Sequence, residues 1–346
     1  MPVTVVVGGQ FGSEGKGKVA YLLAKEMGAT AAVRVGGPNS GHTVVTPDGE
    51  SLVLRQLPTA AILPDTVCVL AAGSYVIPDL LLQEVEETSV TADRLIIDPH
   101  AVVITDADLR TEKTGLLRRD IGSTESGTGA AVIKRISRGF NVDLAENDKK
   151  LNRFVRPVSP FLRELIARND RIVVEGTQGF GLSVLHSNYF PYVTSRDTTA
   201  AGFVCEAGLS PFDVDDIVLV LRAFPIRVGG NSGTLPNETT WDSVTRESDS
   251  ETPIVEYTSV TKRVRRVARF DSEIVLRAIT VNQPTRIVLN HIDYVDATCR
   301  RSDSLTERAE RFIAQVEADI NARVDFFGCG PATIQPRLFR RLQKTA

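Results

Sequence analysis

The segment Val3-Thr-Val-Val-Val-Gly8-Gly-Gln-Phe-Gly12-Ser-Glu-Gly-Lys16-Gly-Lys18 decides the fold of this chain. A β-branched run passes straight into five glycines and two lysines, and Val19–Met27 follow with helical spacing. A strand–loop–helix of this kind turns backbone N–H groups and a helix N-terminus toward an anion, and the lysines neutralise it. Glycine lets the backbone come close to phosphate. The ligand this predicts is a nucleoside triphosphate. Gly12 to Lys18 keep the P-loop spacing G-x-x-x-x-G-K, but Val19 stands where that motif holds magnesium through Ser or Thr. An ordinary P-loop nucleotidase is therefore disfavoured, and a metal must find other ligands.

Outward from this segment, short apolar runs recur at Thr4–Val7, Ala31–Val35, Val67–Ala71, Leu95–Asp98, Arg171–Glu175, Ile217–Leu221 and Arg286–Asn290. Such runs suit a sheet buried on both faces. Helical periodicity fills the gaps at Leu80–Glu87, Pro160–Arg168, Ser272–Val281 and Leu305–Ile320. Alternating strand and helix predict an α/β fold, a mostly parallel central sheet flanked by helices, with residues 1–346 as a single domain. The polar stretches Asp108–Gly127 and Gly229–Thr252 read as long functional loops, and the residues after Gln335 as a basic, partly frayed tail.

With 40 basic and 43 acidic side chains among 346 residues, the net charge of −3 supplies no basic field for nucleic acid or a membrane surface. No apolar run reaches the roughly 18 residues of a membrane span. The first strand is expected directly behind Met1-Pro2, and no signal peptide is expected ahead of it. Cys68, Cys205, Cys299 and Cys329 form no CxxC pair and read as free thiols of a reducing compartment, with no zinc site. The protein is expected in the cytoplasm, that of a host if phage-encoded.

The glycine segment resembles the opening signature of the adenylosuccinate synthetases. The likeness continues through Pro38-Asn-Ser-Gly-His-Thr43, Arg55-Gln-Leu-Pro58, Ile121-Gly-Ser-Thr124, Val174-Glu-Gly-Thr-Gln-Gly179, Tyr189-Phe-Pro-Tyr-Val-Thr-Ser195, Arg227-Val-Gly229, Thr261-Lys-Arg-Val-Arg-Arg266 and Gly330-Pro331. These collinear blocks cover nearly the whole chain, which is similar to the compact branch of the family. The resemblance implies the P-loop-like fold of that family and a two-step ligase reaction. A triphosphate phosphorylates O6 of a 6-oxopurine nucleotide, and the amine of L-aspartate displaces the phosphate.

The resemblance also assigns residues. His42 matches the histidine that donates to the transferring phosphoryl group, and Lys16 the lysine on the triphosphate. Gly12, Ser13, Glu14, Gly15, Gly17, Gly41, Thr43, Arg265, Asn290, Asp293 and Gly330 match the remainder of the triphosphate site, with Gly41 and Ser13 as magnesium ligands. Ser13, Asn39, Ser123, Thr124, Gln178, Thr194, Arg227 and Val228 match the purine nucleotide site, and Arg138 an arginine that crosses a homodimer interface. Val260, Thr261 and Arg263 match the aspartate loop, where Arg263 and Arg265 offer guanidinium forks to carboxylates and Lys262 replaces the family's glycine. The family reads the donor base with Lys-x-Asp. Here the element is His291-Ile-Asp293, which leaves GTP possible and slightly favours ATP or dATP.

Ser13 stands where the family carries an aspartate that removes the purine N1 proton. A serine hydroxyl is too weak a base for that task. The same substitution marks a phage branch, the 2-aminoadenylosuccinate synthetases, in which serine leaves room for the 2-amino group of dGMP. The expectation from this position is a dGMP-using enzyme of diaminopurine synthesis. The alternatives are an ordinary synthetase using IMP and GTP, and a catalytically silent nucleotide-binding protein.

Overall fold

The computed structural model describes residues 2–115, 117–139, 141–258, 263–301 and 304–337. Its centre is the strand Val3–Gly8, buried at every position. Six residues that expose nothing must be covered on both faces, and a parallel sheet sandwiched by helices does this. The ten-stranded sheet runs in the order Gln335–Pro336, Phe326–Gly328, Arg286–Asn290, Val214–Arg222, Val3–Gly8, Ile172–Glu175, Ala31–Gly36, Val67–Val76, Leu95–Ile97. Val102–Val103 adds to the far end of Val67–Val76. All pairings are parallel except that of the edge strand Gln335–Pro336. The α/β expectation holds, with two small antiparallel sheets added: His42–Val45 with Ser51–Leu54, and a three-stranded one around Arg266–Ala268.

The strands match the sequence expectation within a few residues, because buried β-branched runs have few alternatives. Helix starts differ more. The first helix is Lys16–Met27, so the glycine-rich loop is shorter than its composition suggested, and Gly28 ends the helix in the left-handed conformation. The polar stretch 108–127 is not all loop. Thr105 and Asp108 form a capping box that starts the helix Asp106–Thr114, and a short helix Leu117–Ile121 follows. Trp241–Glu247 is likewise helical, capped by Thr240. Charged periodic helices hide among loops when their apolar stripe is short.

Parallel order puts every strand's carboxyl end on one edge. The turns after Gly8, Gly36, Glu175, Arg222, Asn290 and Gly328 therefore converge there, the usual place for a ligand crevice in such a sheet. Packing against this edge is tight. A Cβ on Gly176 would stand 2.6 Å from the Val6 carbonyl oxygen and collide with the Phe203 ring. Gly176→Ala should therefore lower stability by about 1–3 kcal/mol, read as a lower urea midpoint at unchanged slope.

Candidate active site

The loop after Val3–Gly8 wraps around its own carboxylate. Glu14 is fully buried, and its Oε1 accepts from the N–H groups of Gln10 (3.1 Å) and Gly12 (2.8 Å). Oε2 pairs with Lys16 Nζ at 2.7 Å. Gly12, Ser13 and Gly15 all have positive φ, which bends the loop tightly into the helix. Gly15 has a second reason to lack a side chain: a Cβ there would lie 2.7 Å from Asn290 Nδ2, which donates to the Glu14 carbonyl at 2.7 Å. Lys18 reaches the other way and donates to the Gly330 carbonyl at 3.0 Å. Burial pushes its ammonium down to about 8, against the pull of Asp293.

Opposite this loop, the strand His42–Val45 presents His42, which is buried. Its Nδ1 lies 2.5 Å from Glu175 Oε1, at the end of the strand Ile172–Glu175. Arg34 Nη1 donates to the same oxygen at 2.5 Å, and the Thr59 N–H and hydroxyl both donate to Oε2 at 2.7 Å. Burial alone would raise Glu175, but Arg34, His42 and Thr59 hold it down at about 2. An ionised carboxylate only accepts, so Nδ1 carries the proton. Nε2 is then the free nitrogen, with Ser40 Oγ 3.5 Å away. Burial first, then the Arg34 charge, lowers His42 to about 4 despite Glu175, so the imidazole is neutral at pH 7.

A third element closes the site from the hairpin around residue 256. Arg265 Nη1 donates to the Ser13 hydroxyl, and its Nε to the Tyr257 carbonyl at 3.0 Å. Arg222, wholly buried at the end of Val214–Arg222, donates from Nη1 to the Ser13 carbonyl at 2.9 Å and is paired with Glu256. Burial alone would raise Glu256, but Arg222 and then His291 hold it down at about 2. On the far side Arg227 stands over Phe11 and Tyr189, 4.7 and 5.4 Å from their ring centres, and donates to the Tyr192 carbonyl at 2.6 Å.

These groups surround one cavity of about 560 Å³. It collects Gly12, Ser13, Gly15, Lys16, Gly17, Asn39, Gly41, His42, Thr43, Ser123, Thr124, Gln178, Thr194, Arg227, Val228, Arg263, Arg265 and Gly330 from the sequence-based set. Within it, Asn39 Nδ2 lies 3.5 Å from Thr194 Oγ1, joining two segments 155 residues apart. Glu14 does not line the cavity but lies behind the loop as its internal counter-ion. Asn290 and Asp293 are buried just beyond the wall formed by His291 and Gly330, and Asp293 Oδ2 accepts from Arg300 at 3.1 and 2.9 Å. Asn290 Oδ1, His291 Nδ1 and Asp293 Oδ1 are buried there without a hydrogen-bond partner. Arg138 is exposed, follows the helix Thr128–Ile136 and does not reach the cavity. Val260 and Thr261 lie outside the described residues.

The adenylosuccinate synthetase family model matches residues 5–143 and 140–298. The chain belongs to that family. Adenylosuccinate synthetase of Methanococcus maripaludis is 36% identical over 340 residues, 96% of this chain and 97% of that protein. The Archaeoglobus fulgidus enzyme is 34% identical over 336 residues, 96% of each. Among solved structures, the fully ligated Plasmodium falciparum adenylosuccinate synthetase superimposes with a TM-score of 0.86 at 20% identity, covering 98% of this chain and all of that one. Cyanophage S-2L succinoaminodeoxyadenylate synthetase, bound to dGMP and dATP, reaches a TM-score of 0.81 at 31% identity over 97% of this chain and 95% of that one. Membership makes this chain a carbon–nitrogen ligase of purine synthesis, and magnesium and a triphosphate donor go with that family.

The expectation of the phage branch and of dGMP is corrected by these relatives. Eight at 34–36% identity, over 95% or more of this chain, are adenylosuccinate synthetases, while the cyanophage enzyme is less similar at 31%. Ser13 does not by itself mark the branch. Its hydroxyl faces a guanidinium, so its size is not simply room left for a base substituent. Among the described residues no helix is long and apolar enough to cross a membrane.

Sequence reasoning missed Arg34, Glu175, Arg222 and Glu256 as site residues. A signal for the first three was present: each is a charge at or near the carboxyl end of an otherwise apolar strand, where burial demands a partner. The His42–Glu175 pair has a pH signature. An unfolded chain binds a proton on His42 near pH 6.5, the folded one only near 4, so that share of stability is complete above 6.5 and is lost as pH falls toward 4. Glu175 loses its share lower, between about 4.5 and 2. His42→Asn should flatten the stability–pH curve between pH 6.5 and 4, measured by urea unfolding at several pH values, and leave the lower limb in place.

Proposed function

We propose that the protein joins L-aspartate to C6 of IMP, using GTP as phosphoryl donor, to give adenylosuccinate, GDP and phosphate. The observation that carries this reading is that one cavity holds the glycine loop, the Glu175-oriented His42 and the Arg263/Arg265 pair. Those are the parts needed to move a phosphoryl group to a purine oxygen and then admit a dicarboxylate.

In this reading the γ-phosphate lies between Lys16 at the start of Lys16–Met27 and Nε2 of His42. Incoming phosphate draws Lys16 from Glu14 and raises the proton affinity of His42, whose Nδ1–H stays anchored on Glu175. O6 attacks the γ-phosphorus as the N1 proton is lost to solvent, the β–γ bridging bond breaks, and GDP leaves. The amine of aspartate adds to C6, phosphate departs, and the amine's surplus proton goes to solvent. Asn39, Ser123, Thr124, Gln178, Thr194 and Val228 would seat IMP, and Arg263 the aspartate carboxylates. Magnesium, which favours oxygen ligands and substrate phosphates, would be held by the Gly41 carbonyl and the phosphates themselves and would neutralise phosphate charge, because the Ser13 hydroxyl already accepts from Arg265. The partnerless Asp293 Oδ1, buried behind the cavity wall, is an acceptor for a donor-base N–H: the N1–H or 2-amino group of guanine, or the 6-amino group of adenine. Strands from both ends of the chain enter one sheet, which supports a single functional domain. Exposed Ile133 and Ile136 beside Arg138 support a homodimer in which Arg138 reaches the partner's nucleotide.

The test is product formation from IMP, GTP, L-aspartate and Mg²⁺, with ATP as rival donor and dGMP as rival acceptor. Formation of adenylosuccinate at a higher kcat/KM than any dGMP product is expected. Turnover of dGMP alone would overturn the acceptor, and an ATP preference the donor. Because Ser13 can accept from N1–H but not remove its proton, Ser13→Asp should raise kcat with IMP by about tenfold or more, toward the 10²–10⁴-fold of a positioned base. A lower kcat in that variant would remove Ser13 from the proton path.

A further inference from the structure

Ser13 is gripped from two directions by arginines that are both tied to one half-buried residue, Glu256. Its φ of 55° is left-handed, a conformation that non-glycine residues adopt rarely and hold only when neighbours fix them. Arg222 fixes its carbonyl and Arg265 its hydroxyl. Arg222 is bolted to the loop again through its backbone, since its N–H donates to Gln10 Oε1 at 2.9 Å and Gln10 Nε2 returns to its carbonyl at 3.2 Å. A guanidinium with no exposed surface must have a counter-ion. Glu256 supplies it: Oε1 accepts from Nη2 and Oε2 from Nη1 at 3.3 Å. Tyr294 donates to the same Oε1 at 3.0 Å, which stops the carboxylate from turning. The Glu256 carbonyl in turn accepts from the N–H of Arg265 at 2.9 Å, so one residue places both arginines.

We propose that Glu256, which the reaction above does not use, is a positioning residue that sets the conformation of Ser13 and couples the glycine loop to the hairpin carrying Arg263 and Arg265. The inference rests on the functional reading above and names a residue through which its two half-sites act together. The arrangement favours this over a purely structural ion pair. The pair lies against the cavity wall, Glu256 lines the cavity, and the atoms that Arg222 holds belong to the loop and not to the core.

The test separates positioning from stability by removing both charges. A buried pair replaced by apolar residues of similar volume is often neutral in stability, whereas loss of one partner strands a charge. The double variant Arg222→Met/Glu256→Leu should keep the Tm of the wild type to within a few degrees. Its kcat with IMP, GTP and aspartate should fall about 10²-fold, as for an ångström-scale misplacement, and amide hydrogen exchange in the peptide spanning residues 9–15 should speed up about tenfold. A stable double variant with kcat within about threefold and unchanged exchange would overturn the proposal. Should that variant not fold, Glu256→Gln, assayed where circular dichroism shows it folded, is read by the same two criteria. If the wild type itself does not turn over IMP, the functional reading falls, and exchange in residues 9–15 alone decides the positioning role.

Discussion

A single buried carboxylate, Glu175, holds together the half of the site that faces phosphate. It closes one of the central strands of the sheet, where neighbouring strands leave no room for water. Four groups satisfy it: Arg34 from the adjacent strand, His42 from the small antiparallel ribbon, and the amide and hydroxyl of Thr59. The Thr59 hydroxyl oxygen also lies 2.8 Å from the Gly17 carbonyl oxygen, so the residue that binds this anion packs on the first turn of the helix behind the glycine loop. A charge desolvated so completely is tolerable only when its lone pairs are all in use. The consequence for chemistry is a histidine of fixed tautomer, whose one free nitrogen has a fixed direction.

The other half of the site is built by the same rule with opposite sign. There the buried charge is a guanidinium, Arg222, and the anion Glu256 comes from a hairpin distant in sequence. Between the two halves lies the glycine loop, whose own carboxylate, Glu14, occupies two of its N–H groups and its lysine. The loop is thus preorganised around an internal anion, and a phosphate completes a charge balance already half met. Preorganised dipoles and charges of this kind act without rearrangement at the moment of reaction.

Local patterns in the chain were readable, and long-range pairings were not. The strand Val3–Gly8 and the glycine loop announce themselves because β-branched runs and clustered glycines have few structural uses. Of the assigned positions, His42, Lys16, Asn39, Gln178 and Arg265 do meet in one cavity, since the motifs that carry them lie at strand ends on one edge of the sheet. Glu175 lies 133 residues from His42, and Glu256 lies 34 from Arg222, and only the strand order brings them together. The capped helices Asp106–Thr114 and Trp241–Glu247 were missed because each is short and carries charge on most of its surface. The strand end at Asn290 was legible, but not that the residues there would leave three polar atoms buried and unpartnered.

Ser13 shows how far one position can be read in isolation. As a side chain it lacks a carboxylate and is small, and both facts pointed to a larger purine. In its setting it is neither vacant nor isolated, because its hydroxyl and carbonyl are both held by arginines. An aspartate there would meet Arg265 as an ion pair, and a serine meets it as an ordinary hydrogen bond, so the exchange alters charge as much as volume. One residue therefore changes two properties at once, and its size alone does not select a base. Similarity spread over the whole chain weighs more, because it samples every wall of the cavity and not one atom of it.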